Sequence, residues 1–387
     1  MQRENVGQYE VTLTSGEEVR AFIPDPLPPE PALDLVALQP SHSKALVSLG
    51  RLDGLARLLP NPDLFLYSYV RKEAVLSSQI EGTQSSISDL LQFELHQTPG
   101  VPIDDVVEVS NYVRAMDHGL RRLHDDDFPL CSRLLREIHA ELLSRGRGSN
   151  KTPGEFRRSQ VWIGGSRPGN AHFVPPPPHA VPDCMGQLEQ FLNSECPGID
   201  PLIRAGLAHL QFETVHPFLD GNGRVGRLLI ALLLNHDGLL RQPMLYLSLY
   251  FKQNRSEYYD LLDIVRQTGE WEAWLTFFLE GVTQTSESAV ATAERLLDLF
   301  AEDEANIQQQ GRRAGSALRV HQALKERPII SLREITERTG LTLPTAGTGM
   351  QLLADLGIAS EITGQTRDRR YSYQQYIEIL SEGTEPL

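Results

Sequence analysis

The sequence has few of the features that would tie it to an oxidising compartment, a membrane or a polyanion. It contains three cysteines in 387 residues, an odd number without metal-ligand spacing, which favours a reduced compartment over a disulfide framework. No apolar run is long enough to span a bilayer, and the first twenty residues lack a signal-peptide pattern. The net charge of -15 argues against broad adhesion to nucleic acid or anionic lipid. We therefore expect a cytoplasmic protein that does not contact membranes.

One twelve-residue segment, residues 216 to 227, concentrates polar chemistry and reads HPFLDGNGRVGR. His216 is the group in it whose ordinary pKa lets it take a proton from a hydroxyl near pH 7. Asp220 can hold a hard cation such as Mg²⁺, which accepts one or two carboxylates together with phosphate oxygens. Gly221 and Gly223 permit turns in which successive N–H groups point at one anion. The segment therefore has the parts needed to handle a nucleotide triphosphate.

The residues after this loop favour a phosphate site at a helix N-terminus. The apolar run 228 to 234 predicts a helix directly behind Asn222, and a helix N-terminus attracts phosphate. Arg224 and Arg227 are three residues apart, so they share one helical face and can each grip phosphoryl oxygens. A glycine turn before a core helix is the alternative, but no packing requirement calls for all these polar types together.

The segment resembles the signature of the Fic family, H-x-F-x-[DE]-G-N-G-R-x-x-R, at every defined position. The resemblance implies a protein adenylyltransferase, which transfers AMP from ATP to a Ser, Thr or Tyr hydroxyl of a target protein or of itself. It implies His216 as the base, Asp220 as the Mg²⁺ ligand, and a further set of residues that bind ATP: Gly221, Asn222, Gly223, Arg224 and Arg227. Two alternatives remain, transfer of another group such as phosphocholine, and a DNA-binding regulator that uses the core as an ATP sensor.

A second motif, residues 77 to 82, reads SSQIEG and matches the family's inhibitory pattern [ST]-x-x-x-E-[GN]. Ser77 and Glu81 are four residues apart and share one face of a predicted helix, with Gly82 as a C-cap. The resemblance implies that Glu81 reaches Arg227 and occupies space that the γ-phosphate of ATP needs. Glu81 is then part of the ATP site and an inhibitor, and in some relatives such a glutamate also supports removal of AMP.

Two further features complete the expected site. Residues 160 to 174 predict a β-hairpin with a turn at 168 to 170, and they resemble the Fic flap, which clamps a target segment by strand pairing. The expected target contacts are Val161, Trp162, Ile163 and Gly164. The aromatic pair Tyr258 and Tyr259 falls where relatives pack a ring near adenine, and Tyr259 is the preferred candidate.

The periodicity of the chain predicts a mainly α protein with a Fic-type helical core and a β-hairpin flap. Residues 1 to 110 are expected to form an N-terminal region with the inhibitory helix, and prolines between residues 23 and 40 predict an extended arm there. We expect the catalytic core at residues 111 to 283 and a linker helix at 284 to 311. Further helices are predicted at 46 to 59, 64 to 80, 105 to 122, 132 to 144, 185 to 192, 203 to 214 and 258 to 265.

Residues 312 to 387 predict a winged helix-turn-helix domain, with Ser331 as an N-cap and Gly340 in the turn. Between residues 312 and 376 there are ten Lys or Arg against six Asp or Glu, a contrast with the acidic chain that hints at DNA. The expected recognition helix, 343 to 351, has no basic residue, and Arg367, Arg369 and Arg370 are the expected phosphate contacts. A protein-docking or homodimerising module is the alternative to DNA binding.

Overall fold

The computed structural model describes residues 1–4, 6–14, 16–58, 62–94, 102–125, 128–194, 196, 198–365 and 368–386. Helices form most of this part of the chain, and the strands lie in two small antiparallel sheets. The mainly α class predicted from periodicity is therefore confirmed. In the described part of the chain, no helix combines the length and the apolar character that a bilayer crossing requires.

The N-terminal residues form a β-hairpin that the sequence analysis did not predict. Strands β1 (Gly7–Thr14) and β2 (Glu17–Pro24) pair in antiparallel register, with Gly7 opposite Pro24. The predicted extended arm is wrong at both ends, because β2 includes Pro24 and the first helix begins at Leu35 and carries Pro40 inside it. Only residues 25–34 run as an irregular segment between these elements.

Helices α1 (Leu35–Leu58) and α2 (Pro62–Ile80) lead into α3 (Ile87–Glu94) and α4 (Ile103–His124). The core follows with α5 (Ser132–Leu142), α6 (Val181–Asn193), α7 (Pro201–Val215) and α8 (Asn222–His236). Next come α9 (Ser248–Gln253), α10 (Arg255–Thr268) and α11 (Trp271–Gln308). Every predicted helix in this region is present, and α11 is longer than expected.

The centre of the core is formed by α7 and α8, which pack against each other and join through the loop 216–221. The apolar run 228–230 and 232–234 of α8 is buried, as are residues 202–203 and 205–215 of α7. A helix that is apolar on nearly all sides belongs in the interior of a protein. The polar loop between these two helices is thereby fixed to a rigid support.

The C-terminal unit, residues 312–386, has the element order expected from the sequence as far as residue 372, and it ends in a helix that was not predicted. It contains α12 (Ala314–Glu326), β3 (Ile329–Ser331), α13 (Leu332–Thr339) and α14 (Leu343–Asp355), then β4 (Ser360–Glu361), β5 (Arg370–Ser372) and α15 (Gln374–Ser381). The three strands form one antiparallel sheet in the order β3-β5-β4. Ser331 caps α13 in a reciprocal box with Glu334, and Gly340 has φ +67° in the turn before α14. Arg367 lies outside the described residues.

The flap, residues 160–174, is less regular than predicted. Its two arms meet through one antiparallel bridge, between Ile163 and Phe173, and a 3₁₀ turn at Pro168–Asn170 joins them. The hairpin β1–β2 packs against the second arm, where the Phe22 N–H donates to the carbonyl of Val174 at 2.9 Å. Side chains from this hairpin therefore support the flap from one side.

Candidate active site

The backbone at His216 is held in an unusual conformation by its neighbours. Helix α7 ends here because His216 has φ +48°, in the left-handed region that non-glycine residues seldom adopt. Its carbonyl accepts a hydrogen bond from Arg157 Nε at 2.8 Å, and Arg157 Nη2 also donates to the carbonyl of Pro176 at 2.5 Å. The buried Arg157 thus connects the end of α7 to the segment after the flap.

His216 is half-buried, and its imidazole is neutral near pH 7. Burial lowers its pKa to about 3, and the Arg157 and Arg266 guanidiniums act in the same direction. Its Nδ1 atom has no hydrogen-bond partner in the described part of the chain. Nδ1 is enclosed and the neighbouring Glu213 backbone favours a proton on the ring, so the nitrogen left to accept a proton as a general base is Nε2.

The loop after His216 is held by Asn222, which was predicted to bind ATP, and by His139, which was not predicted to have a role. Asn222 Nδ2 donates to the Phe218 carbonyl and its Oδ1 accepts the Phe218 N–H, both at 2.9 Å. Its amide, predicted to bind ATP, is thus used to hold the loop. His139 stacks on the Phe218 ring at 3.7 Å, and its Nδ1 accepts the Gly154 N–H at 2.8 Å. The proton must therefore sit on Nε2, which donates to the Asp220 carbonyl at 3.0 Å.

Asp220 is presented at the edge of this loop with its side chain 31% exposed. Its Oδ1 accepts the N–H of Gly221 at 2.6 Å, and Gly221 has the φ of +79° that the turn requires. No group of three or more His, Cys, Asp or Glu side chains able to hold a metal occurs in the described ranges. A single accessible carboxylate is compatible with Mg²⁺, which keeps its waters and binds mainly to phosphate.

Arg224 lies between two carboxylates and is buried. Its Nη1 is 2.6 Å from Oε1 of Glu108, and its Nη2 is 3.4 Å from Oδ1 of Asp220. The side chains of Arg224 and Glu108 are 2% and 3% exposed. Neither carboxylate oxygen of Glu108 makes an aligned hydrogen bond within the described residues. Glu108 was not predicted, because its contact arises only when α4 packs against α8.

Arg227 is held by the two residues of the predicted inhibitory motif. Its Nε donates to Ser77 Oγ at 2.9 Å, and its Nη2 donates to the Ser77 carbonyl at 2.9 Å and to Glu81 Oε1 at 2.7 Å. Burial alone would raise the pKa of Glu81, but the Arg227 guanidinium outweighs it and holds that pKa below its usual value. We refer to the contacts of Ser77 and Glu81 with Arg227 as the brake.

Gly223 has a role other than the turn expected for it. It lies inside α8 with helical backbone, and a Cβ there would overlap Oε1 of Glu81 and come within 2.9 Å of Arg227 Nη1. The absence of a side chain therefore leaves room for the brake. The same reasoning applies at Gly226, where a Cβ would overlap a carboxylate oxygen of Glu213.

Glu213 is a buried carboxyl group that the sequence analysis missed. It lies one helical turn before His216, and its Oε1 atom makes no hydrogen bond within the described ranges. Burial raises its pKa to about 7, although the Arg227 guanidinium acts in the opposite direction. The position of Glu213 three residues before His216 is visible in the sequence, but spacing alone does not reveal that this side chain is buried.

The two tyrosines predicted near adenine are placed in different environments. Tyr258 is 1% exposed, stacks with Phe251 at 4.6 Å and shares a 2.9 Å hydrogen bond with Nε2 of His209. It is therefore a core residue, and its assignment to the ATP site is not supported by its position. Tyr259 is 37% exposed, and its hydroxyl lies in the electrostatic reach of Glu81 and Arg227.

The expected target contacts of the flap are only partly available. Val161, Trp162 and Ile163 are half-buried, and Gly164 is exposed with φ +68°. Trp162 packs on a small cluster that includes Val19, Ala21 and Val174, so it serves to join the flap to the N-terminal hairpin. Glu17 fixes the flap turn, because it accepts hydrogen bonds from Arg167 Nη1 at 2.6 Å and from the Gly169 N–H at 2.9 Å.

Comparison with known proteins places this geometry in a family. The sequence profile of the Fic/DOC family matches residues 129–234, and the profile of the Fic/DOC family N-terminal region matches residues 39–121. The chain therefore contains a Fic/DOC N-terminal region followed by a Fic/DOC domain. Among solved structures, a Fic family protein from Desulfovibrio desulfuricans has the same fold, with a TM-score of 0.57 and 19% identity over 86% of this chain and 96% of that one.

Similar sequences occur among proteins named protein adenylyltransferase Fic. The protein from Aedes aegypti is 32% identical over 203 residues, which is 52% of this chain and 35% of that protein. The protein from Drosophila willistoni is 35% identical over 150 residues, which is 38% of this chain and 27% of that protein. The match thus spans about a third of the length of these relatives.

Proposed function

We propose that this protein is an ATP-dependent protein adenylyltransferase restrained by Glu81. The observation that carries the proposal is the convergence of a neutral His216 imidazole, the Asp220 carboxylate and two buried arginines around one helix N-terminus. The similarity to proteins named protein adenylyltransferase Fic supports it. The substrates would be ATP and a Ser, Thr or Tyr hydroxyl on another protein or on this one.

In the proposed reaction, His216 accepts the proton of the target hydroxyl. The hydroxyl oxygen then forms a bond to the α-phosphorus of ATP while the bond from that phosphorus to the α,β-bridging oxygen breaks, and pyrophosphate leaves. Asp220 would hold Mg²⁺, which when bound supplies positive charge for the leaving group. Because such transfers depend mostly on positioning and charge, we assign Arg224, Arg227 and the backbone N–H groups at the start of α8 to the phosphates. Tyr259 remains the candidate for the adenine ring.

The brake would act by charge and by space. Glu81 pairs with Arg227 and lies over Gly223, at the end of α8 where we place the phosphates. A carboxylate there removes a cationic partner from the triphosphate and adds like-charge repulsion. We expect ATP to bind in an unproductive pose until Glu81 leaves.

The test compares four purified proteins with α-labelled ATP, Mg²⁺ and cell lysate: the parent, Glu81→Gly, Glu81→Gly/His216→Ala and Glu81→Gln. We expect transfer to rise in Glu81→Gly and to disappear when His216 is also replaced, with ATP binding retained. Glu81→Gln keeps the size but loses the charge, so it reports how much of the restraint is electrostatic. Equal labelling by the parent and Glu81→Gly would contradict the brake, and labelling without His216 would contradict the base. Labelled phosphocholine donor, tested in parallel, separates the alternative transfer.

The second candidate function is DNA binding through the C-terminal unit. Helix α14 exposes Thr345, Thr348 and Gln351, whose hydroxyl and amide groups can bond base edges, and Arg369 is exposed beside the small sheet. An electrophoretic mobility shift that weakens steeply with salt supports phosphate contacts. If no shift occurs, sedimentation of the same sample measures whether this unit forms a homodimer instead.

The proposed location is the cytoplasm, in keeping with cysteines Cys131, Cys184 and Cys196 that are all free.

A further inference from the structure

The end of the C-terminal unit lies against helix α2, which carries the brake. The segment 374–385 comprises α15 and the four residues after it, and we refer to it as the tail segment. Near its start, the hydroxyls of Tyr376 and Ser68 are 2.8 Å apart in a buried contact. Tyr67, one residue earlier on α2, has the guanidinium of Arg327 over its ring at 4.1 Å. The C-terminal unit therefore touches the first half of α2 through Arg327, which follows α12, and through Tyr376 of α15.

A second group of contacts lies at the other end of α2, beside the brake. Gln79 is 1% exposed, and its Nε2 donates to the carbonyl of Thr384 at 2.7 Å and to that of Ser85 at 3.0 Å. Its Oε1 accepts from Lys252 Nζ at 2.7 Å. The same ammonium also donates to the carbonyls of Gly383 and Glu385. Both ends of the Gln79 amide are thus satisfied by groups that depend on the tail segment.

These contacts lie close to Glu81 but outside the ATP site. Gln79 is two residues from both Ser77 and Glu81, so it projects from the opposite side of the helix. The tail segment is itself fixed elsewhere, because Glu382 forms a two-bond ion pair with Arg295 of α11, at 2.6 and 2.7 Å. It also follows β5 directly, and Tyr373 between them is buried and bonded to Asp303. The tail segment therefore joins the small sheet to α2 by direct contacts.

We propose that the tail segment is part of the restraint on catalysis: it holds α2 in the position from which Glu81 pairs with Arg227. The proposal rests on the adenylyltransferase activity inferred above. It assigns the C-terminal unit a regulatory role, in which a ligand that displaces α15 would release Glu81. Such a ligand needs different affinities for the two positions of α15, since an equilibrium shifts only by differential binding.

The test uses Lys252→Met in the full chain, both alone and combined with Glu81→Gly. Met preserves most of the side-chain volume but removes the ammonium that joins Gln79 to residues 383 and 385. Hydrogen bonds to charged groups are among the stronger ones, so we expect AMP transfer to rise roughly tenfold over the parent. In the Glu81→Gly background the same change should have no effect, because the brake is already absent. Arg333→Ala, at an 88% exposed side chain of the same unit, is the matched control and should behave as the parent.

A second measurement does not depend on activity. Amide hydrogen exchange of residues 74–86 should speed up in Lys252→Met and remain unchanged in Arg333→Ala, because α2 opens more often without the tail contacts. Three results would overturn the proposal: no rise in transfer by Lys252→Met while Glu81→Gly is active, an equal loss of transfer in both backgrounds, or unchanged exchange in residues 74–86. If Glu81→Gly itself transfers nothing, the proposed function fails, and the exchange result alone decides whether the tail segment holds α2.

Discussion

The carboxylate of Glu81 lies against the Cα of Gly223, so closely that a side chain at position 223 would overlap it. The two residues are 142 positions apart in the chain and belong to α2 and α8. Glu81 is also the group that pairs with Arg227, one turn further along α8. The absence of a side chain at residue 223 is therefore a condition for the brake as much as for an approaching phosphate.

This relationship gives a prediction for stability. Gly223→Ala should lower the free energy of unfolding of the parent by about 1 kcal/mol or more, because the new methyl group pushes Glu81 away from its partner. In the Glu81→Gly background the cost should be much smaller, since only the flexible end of Arg227 remains within 2.9 Å of the new methyl group and alanine is favoured over glycine inside a helix by roughly 0.5–1 kcal/mol. Urea denaturation of the four proteins measures the difference. An equal cost in both backgrounds would show that Glu81 is not in contact with residue 223.

The buried pair of Glu108 and Arg224 gives a second prediction. Glu108→Gln leaves the Arg224 guanidinium without its buried counter-charge, so we expect the unfolding free energy to fall by about 3 kcal/mol. The control is Glu155→Gln, which breaks an exposed pair with Arg158 and should cost less than about 0.5 kcal/mol. Transfer by Glu81→Gly should also slow, with little change in the KM for ATP, when Glu108→Gln is added. A rise in transfer would instead mean that Glu108 restrains Arg224.

The pKa of Glu213 gives a prediction about pH. Burial raises it to about 7 from 4.5, so the folded state holds a proton between pH 4.5 and 7 that the unfolded state has lost. This carboxyl group therefore favours folding fully below pH 4.5, and its contribution is lost as pH rises through 7. Glu213→Gln has no carboxyl group that can ionise at this position. The free energy of unfolding of this variant, relative to that of the parent, should therefore increase from pH 4.5 to 8 by up to about 3 kcal/mol. Urea unfolding of both proteins at pH 5, 6, 7 and 8 tests this, and a pH-independent difference would contradict it.

Substitutions of Tyr259 and Tyr258 should have different effects, one on the KM for ATP and the other on stability. Tyr259→Ala should raise the KM for ATP about tenfold with a small change in stability, because a half-exposed ring beside the site is available to adenine. Tyr258→Phe should lower the unfolding free energy by about 1 kcal/mol and leave KM unchanged, since it loses the hydrogen bond to His209. Both are measured in the Glu81→Gly background, so that transfer can be followed. The reverse pattern would assign adenine to Tyr258.

The contact between Glu17 and the flap turn gives a prediction for the protein substrate. Glu17→Ala removes two hydrogen bonds to residues 167 and 169, so the flap should be less well fixed and the KM for the target should rise about threefold. The KM for ATP should stay the same. Glu18→Ala, on the neighbouring exposed residue, is the control. A change in both KM values would show that Glu17 acts on the whole site.

The sequence predicted the parts of the site that are adjacent in the chain. His216, Asp220 and the two arginines belong to one loop and the helix behind it, so their spacing alone determines that they lie together. Glu81 was predicted to reach Arg227 because a known family carries the same pattern, and the structure brings these two side chains together, with Ser77 as a second partner of Arg227 that was not predicted.

The sequence did not reveal contacts that depend on packing between distant helices. Glu108 meets Arg224 only because α4 lies against α8, and a glutamate in an amphipathic helix normally faces water. The side chains of Asn222 and Tyr258 have chemistry suited to ATP. In the folded chain, however, the Asn222 amide bonds with the backbone of Phe218, and Tyr258 packs in the core beside His209. The strand β1 was detectable, since Tyr9, Val11 and Leu13 alternate with polar residues in the pattern of an exposed sheet.

The contacts of the N-terminal residues determine when the flap can take its final shape during folding. Arg3 donates to both carboxylate oxygens of Glu272, and the Phe22 N–H donates to the carbonyl of Val174, so these contacts join residues more than 150 positions apart. Contacts between residues so far apart in the chain form late in folding, since the entropy of closing a long loop must be offset first, and the flap therefore reaches its final shape only when the N-terminal hairpin has docked against it.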